Sequence, residues 1–280
     1  MRFSWREDNV LHNIIKAEEY HIMQKITVLG TDARYTFAAR ELEKYGFTVS
    51  SVCDRDALAV VIPINQRTNA IKTPRGEVMI SDAARIAGRA VFFGGEETEE
   101  IRAALCGRRY FDLTKNEEFA AENAILTAEG ALGIMIDKTP FSVRGARVAV
   151  LGYGRIGRAL SGMLVSLGAA VTVFARRDEA RRDAEKICRA LDFSGFDAGF
   201  DVVVNTVPAR VLTEAQTEKI GGAYVIELAS APYGFSDEFS SRLGARYIKA
   251  PGLPGKTAPE SAGKIIAKAI YDIIKGEQIK

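Results

Sequence analysis

A glycine-rich segment in the middle of the chain constrains its fold more than any other feature. Residues 152–157 carry glycine at the first, third and last positions, and an apolar run, residues 147–151, comes directly before them. Residues 158–167 predict a helix, and residues 168–174 predict a second strand. A strand, a glycine-rich turn, a helix and a strand form the context in which the spacing G-x-G-x-x-G indicates a dinucleotide site.

The glycines have a physical role in such a turn. They let the turn close and let the backbone approach a pyrophosphate, and the free N–H groups at the helix start then face the phosphates. An ordinary glycine turn in an α/β fold is the alternative, but the complete βαβ pattern favours dinucleotide binding. The candidate cofactor-binding residues of this loop are Gly152, Tyr153, Gly154, Arg155, Ile156 and Gly157.

The end of the second strand bears on the choice between NADP and NAD. Enzymes that use NAD usually carry a carboxylate there, which binds the ribose 2′-hydroxyl. Here the strand ends in Ala175, Arg176 and Arg177, and the first carboxylate is Asp178. Two guanidinium groups can bind a 2′-phosphate by bidentate hydrogen bonds, or they are solvated arginines at a helix start. We predict NADP, with NAD as the less favoured cofactor.

A second loop of the same domain is expected to contact the nicotinamide end of the cofactor. It follows a predicted strand, residues 201–205, and in Rossmann folds such a loop passes beside the nicotinamide ribose. A plain turn at the end of a strand is the alternative. The candidate residues are Asn205, which orients backbone, and Thr206, Val207 and Pro208, which wall the nicotinamide.

Composition argues against several other classes of protein. The chain has 280 residues, 47% of them hydrophobic, which leaves room for two domains. Its net charge of +2 gives no argument for nucleic acid or membrane partners. No apolar run looks long enough to span a bilayer and no secretory signal is visible. Three widely spaced cysteines indicate a reducing compartment such as the cytoplasm. The only histidines, His12 and His21, argue against a metal site or a histidine base.

We predict an α/β fold with two Rossmann-like domains, a smaller N-terminal domain and a C-terminal NAD(P)-binding Rossmann domain. A long bridging helix joins them, and the C-terminal helix packs back across the cleft. Gly30 stands alone where the later domain has three glycines, which argues against a dinucleotide in the first domain. The predicted parts are an N-terminal extension (1–24, with Met23 a candidate natural start), an α/β substrate domain (25–116), the bridging helix (117–139), the NADP-binding domain (140–257) and the C-terminal helix (258–280).

The start of the last helix has a clear capping pattern. Thr257 is predicted to cap it, Pro259 to lie in its first turn, and Glu260 to complete a capping box. This helix start follows a strand end, on the side where open α/β sheets bind ligands.

Several segments together resemble the family of the dipicolinate synthase A-subunit, the dehydrogenase-like component of that enzyme. They follow the family's order over roughly residues 25–274, and their joint occurrence is more specific than any single motif. The sequence departs from the family pattern at Thr31, Leu126, Glu227 and residues 231–233. The similar segments are residues 30–34, 119–131, 152–157, 205–209, 228–230 and 250–259, of which the last is the most specific.

The resemblance implies a reaction and a setting. The reaction is oxidation of a dihydrodipicolinate-type precursor to dipicolinate, pyridine-2,6-dicarboxylate, with NADP as hydride acceptor. The implied partner is the flavoprotein-like B-subunit of dipicolinate synthase, and the implied location is the mother-cell cytoplasm of a spore former. Whether the chain also forms a homo-oligomer stays open.

A ring with two carboxylates needs two anion-binding groups. Arg34 and Lys256 are the leading candidates, the latter with the start of the last helix; the alternatives are an Arg34–Asp32 ion pair and a solvated lysine. Asn123, Thr127 and Thr257 are further candidate substrate-binding residues. Asp32, Glu129 and Lys256 are the candidate catalytic bases, although Glu129 also fits a helix-surface carboxylate and water can serve as the base.

Two other functions stay open on the sequence. One is a different two-domain NAD(P)-dependent oxidoreductase of a small carboxylate. The other is a nucleotide-binding subunit without independent activity, because the binding motifs are clearer than the catalytic ones.

Overall fold

The computed structural model describes residues 24–277 and Ile279, and it confirms an α/β protein. The described chain divides into two units. The first contains the described residues up to Leu113 and those from Ala267 onward, and the second contains Thr114–Ile266. The predicted N-terminal extension, Gln24 excepted, and the suggested start at Met23 lie outside the described residues.

The first unit is a five-stranded parallel sheet with the order β2-β1-β3-β6-β7, accompanied by an antiparallel hairpin of β4 and β5. The order reverses between β1 and β3, as in doubly wound sheets of flavodoxin type. Its strands are β1 (Lys25–Val28), β2 (Thr48–Ser50), β3 (Ala57–Val61), β4 (Ala70–Thr73), β5 (Gly76–Met79), β6 (Val91–Gly94) and β7 (Tyr110–Asp112), and its helices are α1 (Ala33–Lys44), α2 (Ile80–Ile86) and α3 (Glu99–Leu105).

The second unit is a six-stranded parallel sheet with the order β10-β9-β8-β11-β12-β13. This is the order 3-2-1-4-5-6 of dinucleotide-binding folds, with its reversal between β8 and β11. The strands are β8 (Arg147–Leu151), β9 (Ala170–Phe174), β10 (Arg189–Leu191), β11 (Val202–Asn205), β12 (Tyr224–Glu227) and β13 (Tyr247–Lys249). The helices are α4 (Glu117–Lys138), α5 (Arg155–Ser166), α6 (Asp178–Ala184), α7 (Glu214–Glu218), α8 (Asp237–Leu243) and α9 (Leu253–Thr257), and α10 (Pro259–Gly276) begins here.

Both faces of the second sheet are covered, which explains its continuous apolar strands. In β8, Val148 and Val150 belong to one core cluster, together with Leu160 and Leu164 of α5. Ala149 and Leu151 belong to a second cluster with the aromatic rings of Phe174 and Phe196. Successive side chains therefore enter cores on opposite faces, as the period of two in a strand requires.

The long helix α4 packs against α5 and α9 within the second unit. In the part of the chain that the structure describes, it is the one helix long and apolar enough to cross a membrane by length and composition, so the expectation that no apolar run reaches that length is wrong. Core helices meet the same criterion. Phe119, Ala128 and Met135 are each at most 4% exposed, and 44% of the apolar window is buried inside the protein.

The last helix differs from its predicted start. It begins at Pro259, whereas Thr257 is the final residue of the separate short helix α9. The Thr257 hydroxyl donates to the Leu253 carbonyl (3.0 Å), so the predicted capping role of Thr257 is wrong. Proline at the second position of α9, Pro254, starts this extra turn.

Within α5 and at its end, two leucines three residues apart provide a matched test of the core of the second unit. Leu164 is fully buried and Leu167 is 45% exposed. Leu164→Ala is expected to lower the free energy of unfolding by about 2–5 kcal/mol, because it leaves a cavity against the sheet. Leu167→Ala is expected to change it by less than about 0.5 kcal/mol. Urea unfolding followed by circular dichroism measures both; equal losses would contradict the packing.

Candidate functional site

The three glycines of the 152–157 loop occupy three different environments. Gly152 has a φ of +96°, and a Cβ there would lie 2.6 Å from Thr206 Oγ1 and from Val207 Cγ2. A Cβ at Gly157 would collide with the Gly152 carbonyl oxygen, whereas one at Gly154 would meet nothing within 4 Å. The first glycine therefore closes the turn, the third lets α5 pack on the loop, and the second leaves open space beside the backbone. These are the requirements of a pyrophosphate loop.

The start of α5 is left open for an anion. Its N-cap residue is Gly154, and no side chain caps it. In α1, α3 and α4 the side chains of Asp32, Thr98 and Asn116 accept from first-turn N–H groups. An uncapped helix start at the strand-order reversal of a parallel sheet suits phosphate binding.

The loop after β9 carries the two predicted 2′-phosphate ligands. Arg176 and Arg177 are exposed, Ala175 is buried, and neither arginine has an ion pair among the described residues. Asp178, the first carboxylate after the strand, pairs with Arg181. Arg181 also donates to the carbonyls of Ala175 and Arg176 (both 2.7 Å). Arg181, which was not among the predicted site residues, neutralises Asp178 and holds this loop.

The loop after β11 is held by Asn205, the last residue of that strand. Asn205 is fully buried; its Nδ2 donates to the Val207 carbonyl (2.9 Å) and its Oδ1 accepts from the Val207 N–H (3.1 Å). The Thr206 hydroxyl donates to the Leu151 carbonyl (2.8 Å), which ties the loop to β8. Pro208 follows at the surface side of the turn. The predicted role of Asn205 as an organiser of backbone agrees with these bonds, and its contact with a nicotinamide stays a prediction.

A buried carboxylate, Glu227, lies beside this loop and was not among the predicted site residues. It is 0% exposed and accepts from Asn205 Nδ2 (2.7 Å). Burial raises the pKa of Glu227, while hydrogen bonds to its carboxylate act in the opposite direction. The sequence signal was its position at the end of a buried strand, next to the Asn205 strand in the sheet.

The short helix α9 carries the predicted substrate residues Lys256 and Thr257. Both are exposed, and Lys256 has no ion pair among the described residues. A Cβ on Gly130 of α4 would lie 2.9 Å from Leu253 Cβ and 3.0 Å from Thr257 Oγ1. Glycine at 130 therefore lets α9 pack closely on α4, and this contact fixes the backbone from which Lys256 projects.

The remaining candidates on α4 have different surroundings. Glu129 is exposed and Asn123 half-buried. Thr127 is buried, and its hydroxyl donates to the Asn123 carbonyl one turn earlier (2.8 Å), so its proton is already used within the helix. The roles of these three residues stay predictions.

In the first unit, Asp32 and Arg34 are paired. Asp32 Oδ1 accepts from the Arg34 backbone N–H (2.9 Å) as the cap of α1, and Asp32 Oδ2 accepts from Arg34 Nη2 (2.8 Å). This is the ion pair that the sequence left open as an alternative. Arg34 is 7% exposed, and its buried Nε has no partner. An unpaired buried donor of this kind is costly in a folded protein.

A cavity of about 500 Å³ lies at the strand-order reversal of the first sheet. Thr31 and Asp32 line it from the loop after β1, and Pro63 lines it from the loop after β3. Lys72 and Arg67, which pairs with Glu96 (3.3 Å), also line it and were not among the predicted site residues. Ligands of open α/β sheets bind at this kind of position.

The fold and the glycine loop define an NAD(P)-dependent oxidoreductase of the dehydrogenase class. Residues 113–225 match the family model described as D-isomer specific 2-hydroxyacid dehydrogenase, NAD binding domain. This match covers the glycine loop, the arginines after β9 and the loop after β11, and it confirms a nicotinamide cofactor for the second unit.

Within this class, the chain resembles the A-subunit of dipicolinate synthase, as its motifs predicted. It is 26% identical to that protein from Bacillus subtilis (strain 168), over 89% of this chain and 95% of the relative. The crystal structure of the dipicolinate synthase A-subunit from Bacillus halodurans superposes with a TM-score of 0.82 at 26% identity, covering 90% of this chain and 97% of that one. D-lactate dehydrogenase from Escherichia coli shares the fold, with a TM-score of 0.62 at 14% identity over 91% of this chain and 97% of that one.

Two glycines of the same helix provide a matched test of the cofactor loop. Gly157→Ala is expected to weaken NADPH binding at least about tenfold, because the new methyl group pushes α5 away from the Gly152 carbonyl. Gly162→Ala is the control: apart from its own stretch of helix backbone, a Cβ there would meet no atom within 4 Å, and the change should stabilise the helix by about 0.5–1 kcal/mol. Calorimetric titration with NADPH measures both; unchanged affinity in the Gly157 variant would contradict the assignment.

Proposed function

We propose that the chain catalyses the NADP-dependent oxidation of a dihydrodipicolinate-type precursor to dipicolinate. The observation that carries the proposal is the likeness to the dipicolinate synthase A-subunit over 89% of the chain, in both units and not only in the cofactor-binding one. The segment 250–259, the most family-specific by sequence, forms α9 and the start of α10. A Rossmann domain that only binds a cofactor does not require this segment.

The second unit would hold the cofactor through groups with separate tasks. The backbone around Gly154 and the open start of α5 would bind the pyrophosphate, and Arg176 and Arg177 would bind the 2′-phosphate. Thr206, Val207 and Pro208 would wall the nicotinamide. When bound, NADP supplies the hydride acceptor for oxidation of the ring.

The substrate would be recognised by its carboxylates. Lys256, a cation without an ion pair among the described residues, is proposed to bind one of them. In the first unit, Arg34, whose guanidinium pairs with Asp32, is the other candidate. The cavity lined by Lys72 and by Arg67, which pairs with Glu96, favours an anionic ligand. Aromatisation makes the reaction favourable, so proton removal by Glu129, Asp32 or water would suffice. Asp32 is the weaker candidate, because both of its carboxylate oxygens already accept hydrogen bonds from Arg34, one from the backbone N–H at the start of α1 and one from the guanidinium.

The relatives also bear on the partner of this chain and on its location in the cell. The matching proteins are named as one component of a synthase with more than one kind of subunit, which supports a complex with the flavoprotein-like B-subunit. The proposed location is the cytoplasm, in the mother cell of a spore former. A nucleotide-binding component that works only beside its partner is the second candidate, because no base is firmly fixed by the described contacts.

One assay tests the proposal directly. The purified chain is mixed with NADP and enzymatically generated precursor, with and without the B-subunit, while the ultraviolet bands of dipicolinate and NADPH are followed together. We expect both bands to rise without the B-subunit. A rise only in its presence would favour the second candidate. No rise in either mixture, with NADP binding intact, would favour another two-domain oxidoreductase of a small carboxylate.

The choice between NADP and NAD is tested at Arg176. Arg176→Ala is expected to weaken NADP binding about tenfold, through loss of charged hydrogen bonds to the 2′-phosphate, and to leave NAD binding unchanged. Arg182→Ala removes the same charge from the exposed side of α6 and is the control. An NADP-to-NAD affinity ratio that stays the same in the Arg176 variant would refute the preference.

The role of Lys256 is tested by separating turnover from cofactor binding. Lys256→Ala is expected to lower turnover about 100-fold, because a charge that orients the substrate is lost, with NADP affinity unchanged. Lys264→Ala is the control, since Lys264 lies on α10 and pairs with Glu260 (2.7 Å). Steady-state kinetics and NADP titration check both variants; full turnover without Lys256 would show that the substrate does not depend on it.

A further inference from the structure

Glu227 is a buried carboxylate with a complete set of hydrogen-bond donors. Its Oε1 accepts from Asn205 Nδ2 (2.7 Å) and the Ala229 N–H (3.1 Å). Its Oε2 accepts from the Gly234 N–H (3.0 Å) and the Tyr247 hydroxyl (3.2 Å). In the described part of the chain, no lysine or arginine pairs with it. Because Glu227 is fully buried and all four of these groups donate to it, a side chain that offers only acceptors fits this position best.

The carboxylate acts on the loop after β11 through a single side chain. Asn205 and Glu227 are register partners at the carboxyl ends of adjacent parallel strands. The same Nδ2 that donates to Glu227 also donates to the Val207 carbonyl (2.9 Å). The carboxylate therefore fixes the NH₂ end of the amide on the side of the Val207 carbonyl. The opposite end, Oδ1, then accepts from the Val207 N–H (3.1 Å). With the amide reversed, both of these bonds would be lost.

The loop held in this way is in contact with the cofactor loop. Gly152 lies so close to Thr206 and Val207 that a Cβ would approach their side chains to 2.6 Å. On the other side of Asn205, a Cβ at Gly234 would collide with the Asn205 amide. The amide is therefore confined between Glu227 and Gly234, and any change in its orientation displaces the loop at the strand-order reversal.

We propose that Glu227 is a positioning residue for the nicotinamide half of the cofactor, acting through Asn205 on the Thr206–Val207 turn. The adenine half binds at the loop after β9, which Arg181 holds without help from Glu227. Loss of the Glu227 carboxylate should therefore affect ligands with a nicotinamide and spare ligands without one. The proposal rests on the nicotinamide cofactor and not on the identity of the substrate.

The test compares two ligands on the full chain. Glu227→Gln keeps the shape of the side chain but places an NH₂ group against existing donors in either orientation. We expect the Kd for NADPH to rise about tenfold and the Kd for adenosine 2′,5′-bisphosphate to change by less than about twofold. NADH with 5′-ADP forms the equivalent pair if the chain prefers NAD. An equal loss for both ligands of a pair, or no loss for either, overturns the proposal.

Two further variants separate positioning from general stability. Tyr247→Phe removes one donor from Glu227 and leaves the Asn205 link intact, so NADPH affinity should stay within about twofold of the parent. Asn205→Ser is too short to span Glu227 and Val207 and should repeat the selective loss of NADPH, which keeps the test decisive if Glu227→Gln does not fold. The double variant that combines Glu227→Gln with Asn205→Ser should lose no more NADPH affinity than the weaker-binding of these two single variants, because both changes act through the Glu227–Asn205 hydrogen bond. Additive losses would contradict that link.

Discussion

The close approach of Gly157 to the carbonyl of Gly152 is the contact on which the second unit depends. Because no Cβ intervenes, α5 starts directly against the end of β8, and its uncapped first turn points at the strand-order reversal. The positive φ of Gly152 then brings the cofactor loop against Thr206 and Val207. The uncapped helix start and the shape of the neighbouring loop thus follow from one packing constraint between a helix and a strand.

Features encoded within a few consecutive residues were predictable from the sequence. The glycine spacing, the apolar strands and the arginines after β9 each carry a local physical signal, and the structure has the corresponding elements. The strand β10, residues Arg189–Leu191, was missed because it is a three-residue edge strand with one buried side chain. The β4–β5 hairpin was missed because only one of its strand residues, Ile71, is buried and its sequence lacks an apolar alternation.

Features that depend on tertiary position were not predictable. Thr257 and Glu260 fit a capping box by spacing, yet Thr257 ends a separate helix that packs on Gly130. Arg181 looked like one more exposed arginine, but its guanidinium holds the loop after β9. By sequence, Glu227 was only a departure from the family pattern, and only the fold brings four donors around it. In each case the partner is distant in sequence or the backbone path decides the role.

The helix α10 makes the first unit discontinuous along the chain. The unit's sheet is complete by Asp112, but Tyr271 packs on the rings of Tyr45 and Phe47, and Glu277 pairs with Arg109 (2.7 Å). During synthesis, all of the second unit leaves the ribosome before these last contacts can form. The amino-terminal unit is therefore the last to be finished, and shortening the carboxyl terminus would damage the unit that is made first.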